Sequence, residues 1–81
     1  SPEGHAMEQD RKRALEQAIR TLPEDMRAAI VLRDIQGYSY DEIADILSVN
    51  VGTIKSRISR GREKLREILS EHTELFEQSN V

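Results

Sequence analysis

The 81-residue chain contains no cysteine, which excludes disulfide staples, thiolate metal clusters and a thiol nucleophile, and suits a reducing cytosol. No apolar run approaches the ~18 residues that a membrane-spanning helix needs. No charged n-region is followed by an apolar h-region either. The chain therefore reads as a soluble, unsecreted, cytoplasmic protein with no membrane partner. It also lacks a glycine-rich loop for cradling phosphates. Its acidic cluster, Asp41, Glu42 and Asp45, is explained by helix capping and solvent better than by paired-carboxylate catalysis. Neither His5 nor His72, beside Glu71 and Glu74, makes a convincing metal ligand. No catalytic residue, metal or cofactor is expected, and the protein reads as a non-enzyme. A single domain of this size buries roughly 60% of the surface its unfolded chain exposes, which leaves little room for a large active-site cavity.

What the chain does have is charge, unevenly placed. The net charge is −3, a poor match for a nucleic-acid partner until it is divided along the sequence. Residues 51–69 hold 6 of the 12 Lys/Arg and only 2 of the 15 Asp/Glu, whereas residues 1–50 hold 6 basic and 10 acidic side chains and residues 70–81 hold 3 acids and no base. Counterion release depends on the local phosphate footprint, so this concentration points to nucleic acid more strongly than the total does.

Residues 1–7 (SPEGHAM) show no periodicity and read as a leader or cloning remnant. From Glu8 onward, Leu15, Ala18, Ile19 and Leu22 recur at helical spacing and predict a first helix buried on one side. Thr21 and Glu24 have capping-box spacing, with Pro23 suited to a first turn, so a second helix is expected to begin there and run to about Ile35. Its apolar content (Met26, Ala28, Ala29, Ile30, Val31, Leu32, Ile35) marks it as the central core helix, and Gly37 as its stop. Ser39-Tyr40-Asp41-Glu42 is a second capping box, opening a third helix with Ile43, Ala44 and Leu47 on its inner stripe. Ser48-Val49-Asn50 breaks that helix, and Asn50 is the natural N-cap of a fourth. The expected fold is all-α: a four-helix domain over residues 8–69 with a C-terminal helix-turn-helix over residues 39–69 ending in a long recognition helix. Residues 70–81 form a tail or an extension of that helix.

At 100° per residue, Ile54, Ile58, Gly61, Leu65, Ile68 and Leu69 fall on one arc of the fourth helix, the core side. Gly61 on that arc is explained by close packing against another helix. Opposite lie Gly52, Ser56, Ser59, Arg60, Glu63 and Glu67, with Lys55 and Arg62 along one edge and Thr53, Arg57 and Lys64 along the other. A helix enters a major groove only if its leading residues are small and its flanks reach phosphates on both sides. Gly52, Ser56 and Ser59 meet the first demand, and Lys55 and Arg60 are the candidates for hydrogen bonds to guanine edges. Thr53, Arg57, Arg62 and Lys64 are assigned to phosphates, together with the hydroxyl of Tyr38 or Tyr40 and the free amides at Val51 and Gly52. Glu63, Lys64, Arg66 and Glu67 also fit a solvated face laced with i,i+4 pairs.

Over Leu22 to Arg66, and most specifically in VGTIKSRISRGR at Val51 to Arg62, the chain resembles the −35-binding domain (domain 4) of bacterial sigma factors, above all the extracytoplasmic-function group. The resemblance implies a four-helix domain that recognises the promoter −35 element and docks on the flap of the RNA polymerase β subunit. It places Lys55, Ser56, Ser59 and Arg60 at groove-reading positions and Thr53, Arg57 and Arg62 at backbone-contacting ones. It also implies possible capture by an anti-sigma factor, the chain then acting as an interaction module. A third reading is the DNA-binding output domain of a response-regulator-like transcription factor, against which the R-x-x-R-G-R-E-K-L run argues. One recognition helix touching about four phosphates has a salt slope near −3.6 and unaided affinities of roughly 10⁻⁴ to 10⁻⁶ M. Tethering through polymerase would make so weak a contact sufficient.

Overall fold

The computed structural model describes the backbone of residues 2–79 and the side chains of residues 8–71. Four helices follow one another: α1 (Pro2–Thr21), α2 (Glu24–Ile30), α3 (Tyr40–Leu47) and α4 (Val51–Ser79). The fold is all-α, as the periodicity predicts. α2 continues into a single wide π-helical turn over Val31–Ile35, where the amide of Gln36 donates to the carbonyl of Val31 at 3.0 Å. Gly37, at a φ of 78°, then ends the helix where a side chain would be strained. The amide of Tyr38 reaches back to the carbonyl of Leu32 at 3.0 Å, closing the widened end.

The core is one cluster drawn from all four helices, and α4 packs against each of the other three. Ala18 and Ile19 of α1, Leu22 just beyond its end, Ala29 and Ile30 of α2, Ile43 and Ala44 of α3, and Ile54, Ile58 and Leu65 of α4 are buried. Met26, Val31, Leu32, Tyr40, Leu47, Ile68 and Leu69 pack around them. Gly61 lies on this inner face, and a Cβ there would stand 2.9 Å from Cγ1 of fully buried Ile30. Close approach of α4 to α2 thus requires the missing side chain.

Several expectations need correction. α1 begins at Pro2 rather than Glu8; proline is tolerated in a first turn, and a nucleated helix propagates at little cost. Leu15 is 41% exposed, one turn before the part of α1 that its neighbours cover. Ile35 is 61% exposed, because the wide turn carries it off the stripe that a 3.6-residue period assigns it. No Thr21–Glu24 capping box forms: Pro23 holds the N-cap position, which offers no side-chain acceptor. The Thr21 hydroxyl instead donates to the carbonyl of Ala18 at 2.7 Å, finishing α1. α4 continues through Leu75 and Phe76 to Ser79. The side chains of His5, His72, Leu75 and Phe76 lie outside the described residues.

Candidate nucleic-acid interface

Two caps and one tight turn hold the helix-turn-helix. At the start of α3, the Glu42 amide donates to Ser39 Oγ at 3.1 Å and the Ser39 amide donates to Glu42 Oε1 at 3.0 Å, the reciprocal box foreseen in the sequence. These bonds to Ser39, the backbone one first, favour the ionised carboxylate and hold the Glu42 carboxyl below its ordinary range. A carboxyl with a depressed folded-state pKa contributes stability above its unfolded value and loses it as pH falls through the folded value. Acid titration followed by backbone amide shifts is therefore expected to loosen the first turn of α3 in the acidic limb, and Glu42→Gln is expected to remove that pH dependence.

The turn from α3 to α4 passes through Ser48, in the left-handed region at φ 58°, ψ 44°. The Val49 amide donates to the carbonyl of Ala44 at 3.0 Å, so α3 ends as a Schellman-type cap usually built on glycine. Ser48 is exposed. Ser48→Gly is accordingly expected to raise stability by about 0.5–1 kcal/mol in denaturant unfolding, by relieving Cβ strain. Asn50 then caps α4: its Oδ1 accepts from the Thr53 amide at 2.7 Å. Gly52 lies against this cap, and a Cβ there would sit 3.3 Å from Asn50 Oδ1.

With α4 anchored this way, Gly52, Lys55, Ser56, Ser59 and Arg60 are exposed together, while Thr53 and Arg57 are half-buried. Arg60 folds back along its own helix, its Nε 3.4 Å from the carbonyl of Ser56. Lys55 Nζ lies 5.9 Å from the centroid of the Tyr40 ring, at the junction of α3 with α4. Among the described residues neither Lys55 nor Arg60 has a carboxylate partner.

Arg57 and Arg62 behave differently. Arg57 Nε lies 3.8 Å from Asp25 Oδ2, and Arg62 forms a two-pronged pair with Asp34, Nε to Oδ2 at 3.0 Å and Nη2 to Oδ1 at 2.5 Å. The Asp34 hydrogen bonds raise the Arg62 pKa further. These are the only ion pairs among the described residues, so the i,i+4 pairs expected of Glu63, Lys64, Arg66 and Glu67 are not formed. The charge pairing of α4 runs across to α2 instead.

Sequence reasoning had not singled out Asp25, Asp34 or Arg33. Arg33 lies over the Tyr40 ring at 4.6 Å and donates to the carbonyl of Tyr38 at 2.9 Å, fixing a cation beside Tyr40. Local spacing carries no signal for any of the three, since each finds its partner through the α2–α3 turn or the packing of α2 on α4.

A capped helix, a left-handed turn and a long basic-edged helix define a helix-turn-helix domain. Residues 12–65 match the family described as Sigma-70, region 4. The chain belongs to this family, as domain 4 of a sigma factor of the extracytoplasmic-function (ECF) group. It is 49% identical over 65 residues to the ECF RNA polymerase sigma factor SigE of Mycolicibacterium smegmatis, covering 80% of this chain and 25% of that protein. It is 41% identical over 69 residues to the RNA polymerase sigma-H factor of Pseudomonas aeruginosa, covering 85% of this chain and 36% of the other. A solved relative is the sigma factor RpoE in complex with the anti-sigma factor NepR from Bartonella quintana, at a TM-score of 0.67 and 43% identity over 69% of this chain and 35% of that one. The chain spans between a quarter and about a third of the length of these relatives. Membership in the family selects sigma over the response-regulator reading. No described helix is long and apolar enough to cross a membrane.

Proposed function

We propose that the chain reads the promoter −35 element as domain 4 of an ECF sigma factor, directing RNA polymerase to initiate transcription in the bacterial cytoplasm. The observation that supports this most is the exposed start of α4, where Lys55, Ser56, Ser59 and Arg60 stand together beyond the Asn50 cap with, among the described residues, no acidic side chain paired to either cation. Small serines let the helix axis approach the bases, and the two long cations supply donors for guanine edges. Thr53, Tyr40 and the amide end of α4 at Gly52 face the flanking phosphates. Docking on the β-subunit flap supplies the affinity that one short helix lacks.

Chemical-shift titration of the chain with a panel of −35 duplexes and one unrelated duplex tests this. Shifts are expected to be largest at Gly52 to Arg60 and to saturate at lower concentration for a −35 duplex. Equal, diffuse shifts with every duplex would remove the sequence-specific reading.

Capture by an anti-sigma factor is a second reading. The Bartonella quintana relative was solved with one, and Ile35 and Ile46, at 61% and 52% exposed, supply apolar contact surface on the α2–α3 side.

A further inference from the structure

We propose that Asp34 withholds Arg62 from DNA, its carboxylate occupying the forked face of the guanidinium that a backbone phosphate would otherwise take. This role of Asp34 rests on the DNA-binding reading above. Carboxylate and phosphate are alternative bidentate partners for the same guanidinium edge. The contact is made through both Nε and Nη2, at 3.0 and 2.5 Å. Its two side chains remain 46% and 35% exposed, so the pair lies at the surface rather than inside the core.

The placement of Asp34 follows from the fold. It sits in the wide turn at the end of α2, whose geometry is held by the Gln36-to-Val31 and Tyr38-to-Leu32 hydrogen bonds. Arg62 follows Gly61, where α4 lies so close to α2 that a Cβ would stand 2.9 Å from Ile30 Cγ1. Two backbones thus fix the two partners, which are 28 residues apart in sequence. The Asp25–Arg57 contact, single and at 3.8 Å, is much looser. Of the six cations in residues 51–69, Arg62 makes the closest ion pair among the described residues. The domain therefore meets a duplex with less effective charge than its recognition helix carries. This keeps its unaided affinity low and leaves promoter occupancy dependent on the polymerase.

The consequence is measurable because each phosphate neutralised by a cation changes the slope of log K against log salt by about −0.9. Asp34→Asn keeps the side-chain shape and removes the charge. Binding of the Asp34→Asn chain to a −35 duplex and to an unrelated duplex is expected to tighten on both, with the salt slope steeper by about 0.9. In an Arg62→Ala background the same change is expected to leave the slope where it was. An unaltered slope for Asp34→Asn overturns the proposal, as does equal steepening in both backgrounds, which would make Asp34 a general source of repulsion rather than the partner of Arg62. A pair this exposed contributes little to stability, and a thermal melt checks that the fold persists. The wild-type chain offers a substitution-free test: the Arg62 Nε–Hε resonance is expected to stay in place as duplex is added, and movement to a phosphate-bonded position overturns the proposal. If the wild-type chain shows no salt-dependent DNA binding under any condition, the DNA-binding reading itself fails, an outcome distinct from a normal wild-type slope that Asp34→Asn leaves unchanged.

Discussion

Ile54→Ala is expected to lower the thermal midpoint of the domain by about 8–40 °C. Ile54 is completely buried in the first turn of α4, and Ile30 and Ile43, of α2 and α3, are buried with it in the same core cluster. Truncating a buried isoleucine removes its transfer free energy and leaves a cavity, together costing about 2–5 kcal/mol. A domain of 81 residues has a total stability of roughly 4–12 kcal/mol, and 1 kcal/mol corresponds to about 4–8 °C at this size. The loss therefore consumes a large share of what holds the fold. The position matters as well as the volume: without Ile54 the start of α4 is oriented by the Asn50 cap and the partly buried Val51, so DNA binding is expected to weaken at temperatures where the chain is still mostly folded. Ile46→Ala, removing the same side chain from a site 52% exposed, is expected to change stability by less than about 0.5 kcal/mol. Calorimetric melts of the two variants side by side decide the matter. If both lose the same amount, the core described here does not hold the helix-turn-helix.

That contrast also shows what a helical period can and cannot reveal. Ile43, Ala44, Ile54, Ile58, Gly61 and Leu65 were legible as inner residues because a regular α-helix buries one stripe, and α3 and α4 are regular where those residues lie. Both caps of the helix-turn-helix were legible because capping depends on residues three apart in sequence. Ile35 was not, because the π-helical turn that exposes it is set by how α2 meets α3 and α4. Thr21 was misjudged because two adjacent helix ends competed for one hydroxyl and the end of α1 took it. The exposure of Lys55, Ser56, Ser59 and Arg60 was readable from a helical wheel. The engagement of Arg57 and Arg62 was not, because Asp25 and Asp34 arrive from another helix and a wheel sees only its own.

Lys55→Ala and Arg60→Ala are each expected to narrow the affinity ratio between a −35 duplex and an unrelated duplex by about 5- to 150-fold, the 1–3 kcal/mol that one good contact to a base edge supplies. Both side chains are exposed, so their removal is expected to leave the melting temperature nearly unchanged. Lys55 also lies near the Tyr40 ring at 5.9 Å, a contact worth roughly 0.5 kcal/mol at a surface, too little to mimic the expected loss of discrimination. Arg60 starts from a long 3.4 Å contact to its own helix, a weak tie that a guanine can outcompete. Lys64→Ala provides the comparison, since a phosphate contact weakens binding to both duplexes alike and flattens the salt slope. Competition binding at one fixed salt concentration, followed by a salt series, separates the two signatures. Variants at 55 and 60 that flatten the slope and leave the ratio intact would move both residues to the backbone, and sequence reading would then fall to Ser56 and Ser59, whose hydroxyls discriminate bases only weakly.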